Sequence, residues 1–190
     1  DGKSGFFSSN RPQKDAALED TCCTDIYHFN WLLEDSVMKT PEDTPTLRER
    51  IASVLPITLY FQNDQPNPKS LSDTTDTDYY SLYKQYLADY HLYVQESGRG
   101  LSQDSSKAVQ KEVLEFMRDS VVSSYDRLVQ LTEYLHQALL HGDTITLTIN
   151  GFASPLHNSD YNRHLSSRRI ASLINYLRVA KDGFFVPYLN

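Results

Sequence analysis

Apolar and polar residues alternate at two places in the chain in the way that predicts half-buried β-strands. In residues 144–150, Ile145, Leu147 and Ile149 share one face, and β-branched residues at this spacing favour an extended backbone. Residues 56–61, with the sequence PITLYF, form the second strong strand prediction. Each segment leads into a run of Asn, Asp, Ser and Pro. If the two strands are neighbours in one sheet, these polar loops lie side by side at its edge.

A different pattern, with an apolar residue every three or four positions, predicts four helices. They comprise a short helix over residues 46–53, one over 79–95 capped by Asp78, a long one over 105–141 that kinks near Ser123 and ends before Gly142, and one from the N-cap Asp160 to Leu177. The second helix carries tyrosine at helical spacing. Aromatic residues in that pattern predict packing in the core, with a binding surface as the alternative.

Charge and composition exclude several classes of function. The net charge of −7 argues against nucleic acid as a partner, because no basic face is expected outside a few local arginines. No apolar run is long enough to span a bilayer. The adjacent Cys22 and Cys23 fit buried side chains or free thiols better than a disulfide or a metal site.

Catalytic and metal-binding patterns are also missing from the sequence. The six histidines are scattered, and no HExxH, GxSxG or GxxxxGK[ST] motif occurs. Asp76 and Asp78 lie two residues apart in a polar loop, but they lack the further ligands that a cation site needs. Ser154 has no evident base nearby. We therefore expect no enzymatic activity, no metal and no cofactor.

The segment that follows residue 150 carries the strongest binding signal. Gly151 ends the predicted strand, a short loop follows, and Arg168 and Arg169 lie near the first turns of the predicted helix. Backbone N–H groups at a helix start and guanidinium groups together suit an anion, most naturally a carboxylate. The alternative is that both arginines only solvate the helix face and pair with acids.

This segment also carries a resemblance to a known family. The spaced motif consists of Gly151, Tyr161, Asn162, Leu165, Ser166, Arg168, Arg169, Tyr176 and Leu177. It resembles, without a gap, the core motif of the OmpA C-terminal-like family of peptidoglycan-binding domains. Residues 59–64, LYFQND, are similar to the first strand of that family. The sequences GFASP at 151–155 and LSSRRIASLINYL at 165–177 are especially similar to OmpA-type domains of propeller-containing, outer-membrane-associated proteins of Bacteroidetes, including those of type IX secretion.

The N-terminal residues resemble another part of the same architecture. Residues 5–12, GFFSSNRP, and the CC-x-D-I-Y segment at 22–27 are similar to the closing blade of a PD40-type β-propeller. The resemblance implies a propeller end at residues 1–30, a linker at 31–54 and an OmpA C-terminal-like domain at 55–190. It also implies that the chain begins inside a longer protein. The alternative for the first thirty residues is a leader with some strand propensity.

The expected fold is therefore α+β, with an OmpA-C-like mixed β-sheet packed on helices and a long helical insertion between its first two strands. The expected function is noncovalent binding of the diaminopimelate-containing stem peptide of peptidoglycan. Such binding would anchor an outer-membrane or periplasmic assembly, such as the type IX secretion system, to the cell wall. The implied partners are peptidoglycan and other outer-membrane or secretion proteins, in the periplasm. The alternative is a protein interaction module that kept the fold and lost peptidoglycan binding.

The resemblance also implies a set of site residues. In the family, the second arginine of the pair meets a ligand carboxylate, and here it is Arg169. The family's aspartate, three residues after the glycine, meets the ligand ammonium group, but this chain has Ser154 there. The first choice for a replacement acid is Asp64 and the second is Asp160. The expected ligand-binding residues are Asn63, Asp64, Phe152, Ala153, Ser154, Asn162 and Arg169.

Overall fold

The computed structural model describes residues 4–9, 25–30, 45–154 and 159–189. Two strands and six α-helices are labelled below in chain order. They are β1 Ser4–Ser9, β2 Asp25–Asn30, α1 Leu47–Val54, α2 Tyr79–Ala88, α3 Tyr90–Ser97, α4 Gln103–Phe116, α5 Ser123–Leu140 and α6 Ser159–Val179. A π-helical segment, Met117–Val122, joins α4 to α5, and two 3-10 turns, Ala180–Gly183 and Val186–Tyr188, follow α6.

The N-terminal strands form an antiparallel pair. Ser4 lies opposite Asn30, and Ser9 lies opposite Asp25, at the positions where the sequence predicts two short strands. A propeller blade has four strands, and the described residues show only this ladder. The predicted β-propeller remnant is therefore wrong as a statement about the fold. Residues 10–12 of the propeller-like segment, the cysteine pair and residues 31–44 of the predicted linker lie outside the described residues.

The predicted α+β fold with a mixed β-sheet is wrong, because residues 45–154 and 159–189 contain helices and no strand. Both expected strands, 56–61 and 144–150, lack regular secondary structure and form no ladder within the described chain. Their apolar side chains pack separately on the helices: Leu59 and Phe61 contact one core cluster, and Ile145 contacts another. The apolar face expected for 144–150 is only partly covered, since Leu147 is 36% exposed.

Side-chain and backbone caps set the helix ends. Thr46 and Glu49 form a capping box at the start of α1, and the Asp78 side chain accepts a hydrogen bond from Ser81 N at the start of α2. Gly142, at φ 86°, ends the helical run. Its N–H donates to Leu139 and that of Asp143 to Ala138, each at about 3 Å, which is the Schellman arrangement. These ends agree with the sequence predictions, although Asp89 divides the predicted helix 79–95 into α2 and α3.

The long predicted helix 105–141 is present but not uniform. Residues 103–140 are helical throughout, and the departure from α geometry is the π-helical segment Met117–Val122, which ends directly before Ser123. Met117 and Val121 of this segment are buried. The kink expected near Ser123 stays a prediction, and the departure that the structure shows is a change of helix type just before that residue.

Two hydrophobic clusters hold the helices together. The first joins α2, the π-helical segment, α5 and α6, with buried Tyr79, Tyr83, Met117, Val121, Leu128, Tyr176 and Leu177. The second joins α1, α5 and the C-terminal turns, with buried Ile51, Val54, Leu131, Leu135, Ala138 and Phe185. Packing is thus the main role of Tyr79 and Tyr83. The Tyr79 hydroxyl also donates a hydrogen bond to the carbonyl of Tyr60 at 3.2 Å. This bond holds residues 56–61 against the first cluster.

Among the described residues, no helix combines the length and the apolar character needed to cross a bilayer. The longest, α6, has 21 residues. It carries Arg168 and Arg169 near its middle.

We expect Leu131→Ala to destabilise the protein by about 2–5 kcal/mol, because truncation leaves a cavity in the second cluster. The matched control is Leu140→Ala on the same helix, since Leu131 is 5% exposed and Leu140 is 63% exposed. The control should change the free energy of unfolding by no more than about 0.5 kcal/mol. Chemical denaturation of both variants measures this difference, and equal losses would contradict the described core.

Candidate ligand-binding site

The middle of α6 is joined to the polar loop 62–75 by a buried arginine. Arg168 is 0% exposed. Its Nε donates to the carbonyl of Pro66 at 2.9 Å, and its Nη1 donates to the carbonyls of Ser70 and Ser72 at 2.6 and 2.9 Å. One guanidinium therefore gathers three carbonyl oxygens from a loop that has no regular hydrogen-bond ladder of its own.

The sequence left open whether Arg168 only solvates the helix face and pairs with acids. In the structure, Arg168 is buried and bonds to backbone carbonyls instead. It is among the largest side chains that are fully buried in the described part of the chain. Burial of a guanidinium is costly unless its donors are satisfied, and here carbonyl dipoles satisfy them. The functional consequence is that the loop is held against α6 in one conformation.

Two further contacts fix the far part of the same loop. His164 Nδ1 lies 2.7 Å from Asp73 Oδ1, and Asn175 Nδ2 donates to the carbonyl of Thr75 at 2.6 Å. The hydrogen bond with His164 lowers the pKa of the Asp73 carboxyl below its ordinary value. The stability from this contact is therefore present above the ordinary carboxyl pKa and is lost as the pH falls through the lowered value.

Arg169 connects the two polar loops that follow residues 56–61 and 144–150. Its Nε donates to the carbonyl of Gln65 at 3.1 Å, and its Nη1 donates to the carbonyl of Phe152 at 2.6 Å. The guanidinium carbon lies 5.0 Å from the ring centroid of Phe61, within the range of a cation–π contact. The predicted closeness of the loops is thus present without a sheet, and Arg169 is at their junction.

Burial lowers the pKa of Arg169 below its ordinary value, and the charge of Asp64 acts in the opposite direction. An arginine stays protonated at neutral pH under such a shift. The side chain is half-buried, and its bond to Phe152 lies at the surface. Arg169 therefore presents a positive charge at an accessible edge of the protein.

Gly151 allows the second loop to approach α6 closely. A Cβ atom at this position would lie 2.3 Å from the carbonyl oxygen of Ser166 and 3.1 Å from the side chain of Ile170. Backbone cannot yield at such a distance, so the position requires glycine. The absence of a side chain brings the carbonyl of Phe152 within reach of Arg169.

Asp64 supplies the negative charge of the site. It has a φ of 59°, a left-handed conformation that aspartate tolerates better than most residues. Its Oδ1 accepts a hydrogen bond from the hydroxyl of Tyr161. Within the described residues, Asp64 and Arg169 form no direct ion pair, although the carboxylate acts on the arginine electrostatically.

The other predicted site residues surround this centre to different degrees. Asn63 and Ser154 are exposed, Ala153 is half-buried, and Asn162 is half-buried on the first turns of α6. Asp160 lies inside α6 and is not its N-cap.

Asp160, the second choice for the ammonium partner, pairs with Arg163 at 3.2 Å and lies 3.9 Å from His164. Its carboxylate is therefore used on the helix surface. Asp78, considered as a cation ligand, caps α2 through Ser81.

Sequence reasoning missed the supporting residues. Tyr161, Gln65 and Arg168 fix the site, yet none is among the predicted ligand-binding residues. The available signal was spacing on α6: Tyr161 and Arg168 are seven positions apart, which places them on the same face of a helix two turns apart.

Comparison with known proteins gives no assignment. No family model matches the chain, and neither curated proteins nor solved structures include a significant match.

We expect Arg168→Lys to lower the free energy of unfolding by at least about 2 kcal/mol, because a lysine cannot reach three diverging carbonyls and leaves buried acceptors unpaired. Arg163→Lys is the control on the same helix, since Arg163 is exposed and forms a surface ion pair worth at most about 1 kcal/mol. Denaturant titration measures both. Amide hydrogen exchange across residues 66–72 should accelerate only in Arg168→Lys, and equal behaviour would contradict the buried role of Arg168.

Proposed function

We propose that the protein binds peptidoglycan noncovalently, by capturing the zwitterionic end of a diaminopimelate side chain between Arg169 and Asp64. The observation that carries the proposal is the junction itself: a half-buried guanidinium joins the two polar loops through the carbonyls of Gln65 and Phe152. Asp64 directly precedes Gln65, and among the described residues its carboxylate forms no ion pair with Arg169. A free amino-acid end offers a carboxylate and an ammonium group on one carbon. The two charges of the site complement that pair.

The donors of Arg169 support the carboxylate half of the proposal. Nε and Nη1 are engaged by the carbonyls of Gln65 and Phe152, and no hydrogen bond to Nη2 is formed within the described residues. The two carbonyls fix the plane of the guanidinium. A ligand carboxylate approaching Nη2 meets a preoriented donor, and charge-assisted hydrogen bonds of this kind are about twice as strong as neutral ones.

Asp64 supports the ammonium half. The Tyr161 hydroxyl engages its Oδ1, while Oδ2 accepts no hydrogen bond within the described residues. The acid therefore keeps an acceptor for a ligand N–H group. Ser154, at the family's usual acid position, is a neutral hydroxyl and adds at most a neutral hydrogen bond.

The motif shared with OmpA C-terminal-like domains supplies the larger context of the proposal. It suggests that stem-peptide capture serves to anchor an outer-membrane or periplasmic assembly, such as a type IX secretion complex, to the cell wall. That role requires no catalysis. It requires only that the charges of Arg169 and Asp64 hold the ligand.

A second candidate function is docking to a partner protein through the helices between the two polar loops. The observation that favours it is a group of exposed apolar side chains on α3, α4 and the turn between them, namely Tyr90, Leu92, Leu101, Leu114 and Phe116. Exposed apolar side chains on neighbouring elements can form an interaction site. This candidate requires no ligand at Arg169, so the two can be separated by experiment.

We expect the full chain to sediment with purified diaminopimelate-type peptidoglycan sacculi, and Arg169→Ala to reduce the bound fraction at least about tenfold through loss of the charge-assisted contact. Arg163→Ala is the control, because it removes an exposed arginine of the same helix. Circular dichroism should show that both variants are folded. Absence of wild-type sedimentation, or equal binding of both variants, would reject the anchoring function and favour partner docking.

We expect Ser154→Asp to strengthen binding of meso-diaminopimelate, because it restores an acid in the exposed loop after Phe152. The gain should be roughly five- to tenfold, the usual value of one added charge-assisted hydrogen bond over a neutral one. Isothermal titration calorimetry measures it, with Ser154→Asn as the uncharged control. Weaker binding in Ser154→Asp would show that Asp64 already occupies the ammonium position and that the new charge competes with it.

A further inference from the structure

The hydroxyl of Tyr161 is the meeting point of three contacts around Asp64. It donates a hydrogen bond to Asp64 Oδ1. It accepts one from the backbone N–H of Lys69 at 3.0 Å and one from Arg168 Nη2 at 3.4 Å. The residue lies half-buried near the start of α6, and its ring lies 5.6 Å from the guanidinium carbon of Arg168.

The direction of these bonds follows from their chemistry. A phenolic oxygen has one proton and accepts hydrogen bonds at its lone pairs. The Lys69 N–H and the Arg168 guanidinium have only protons to give, so they occupy the accepting side of the hydroxyl. The remaining proton therefore points to the carboxylate of Asp64, which fixes the rotation of that carboxylate.

The positive charge of Arg168 reinforces this direction. A guanidinium beside a phenol oxygen polarises the O–H group, and successive hydrogen bonds strengthen one another in a poorly solvated environment. Arg168 is itself immobilised by three loop carbonyls. The orientation of Asp64 is thus connected, through one hydroxyl, to the most buried side chain of the site.

We propose that Tyr161 is a positioning residue that gives this site its preference for a zwitterionic amino-acid group over a plain carboxylate. This inference rests on the function proposed above. Without the hydroxyl, Asp64 rotates among several conformers at its left-handed position and loses the fixed Oδ2 that an ammonium group would meet. The guanidinium of Arg169 is oriented by its hydrogen bonds to the carbonyls of Gln65 and Phe152, neither of which involves the Tyr161 hydroxyl.

Tyr161→Phe tests this role with little disturbance of the loop. The ring and its contact with Arg168 remain, and the three bonds from Arg168 to the loop carbonyls remain. The N–H of Lys69 loses its acceptor, but Lys69 is exposed and water can replace the hydroxyl. Arg168 Nη2 also loses its long 3.4 Å contact with the hydroxyl, and thermal unfolding measures the cost of that loss. Fold integrity is checked by circular dichroism and thermal unfolding.

The experiment measures the binding of two probes to the full chain by calorimetry. meso-Diaminopimelate carries both ammonium and carboxylate groups, and pimelate has the same carbon chain with carboxylates alone. The wild type should prefer diaminopimelate, and Tyr161→Phe should reduce that preference at least about fivefold while leaving pimelate affinity unchanged. Tyr90→Phe, at an exposed tyrosine on α3, is the control and should keep the wild-type preference.

Asp64→Asn provides the second variant. It should reduce the preference as Tyr161→Phe does, and the double variant should lose no more than either single one, because both changes remove the same interaction. A wild-type preference retained in Tyr161→Phe overturns the positioning role, while diaminopimelate binding itself stands. If Tyr161→Phe does not fold, a preference retained in Asp64→Asn overturns it instead. Binding of neither probe by the wild type rejects the proposed function, and this inference with it.

Discussion

The buried guanidinium of Arg168 is the interaction on which the site depends. Loop 62–75 has few apolar side chains and no ladder of backbone hydrogen bonds, so its order depends on side chains of α6, above all Arg168. Three of its carbonyl oxygens turn inward to one planar cation. Hydrogen bonds to a charged group contribute more than neutral ones, and their fixed directions specify one loop conformation. The positions of Asp64 and of the Gln65 carbonyl follow from it.

The same constraint gives adjacent arginines opposite roles. Successive residues of a helix point about 100° apart, so Arg168 turns into the protein while Arg169 lies at its edge. The first satisfies the loop, and the second joins that loop to the segment after Gly151 and keeps a donor at the surface. A lysine pair could not divide the work in this way, because an ammonium group lacks the planar fork that bridges several carbonyls.

Local signals in the sequence identified the helices well, since their ends are decided by neighbours in the chain. Thr46, Asp78 and Gly142 each cap a helix through residues three to five positions away. The strands depended on distant partners. Residues 56–61 and 144–150 form no strand, and Phe61 and Ile145 pack partly buried against the helical clusters, because no sequence pattern shows which surface will cover an apolar side chain.

For the candidate site, the sequence pointed to the charged residues but not to the residues that support them. Arg169 and Asp64 are chemically distinctive enough to be chosen from their loop and helix contexts. Arg168 acts through the carbonyl groups of Pro66, Ser70 and Ser72, and the Tyr161 hydroxyl accepts a hydrogen bond from the backbone N–H of Lys69. Backbone groups leave no trace in the amino-acid sequence. Contacts between a side chain and a distant backbone therefore had to come from the structure.

The π-helical segment Met117–Val122 has a consequence for the lengths that this chain can tolerate. A π-helical turn holds one residue more than an α-helical turn. The wider turn absorbs that residue, so a continuous α-helix that is one residue shorter would keep α4 and α5 in nearly the same rotational phase. The same deletion inside α5 would instead rotate α4 by about 100° relative to the rest of α5, and Phe116, whose ring meets Tyr60 edge-on at 5.1 Å, would then face elsewhere. Loss of a single residue is therefore better tolerated within Met117–Val122 than in the regular helix on either side.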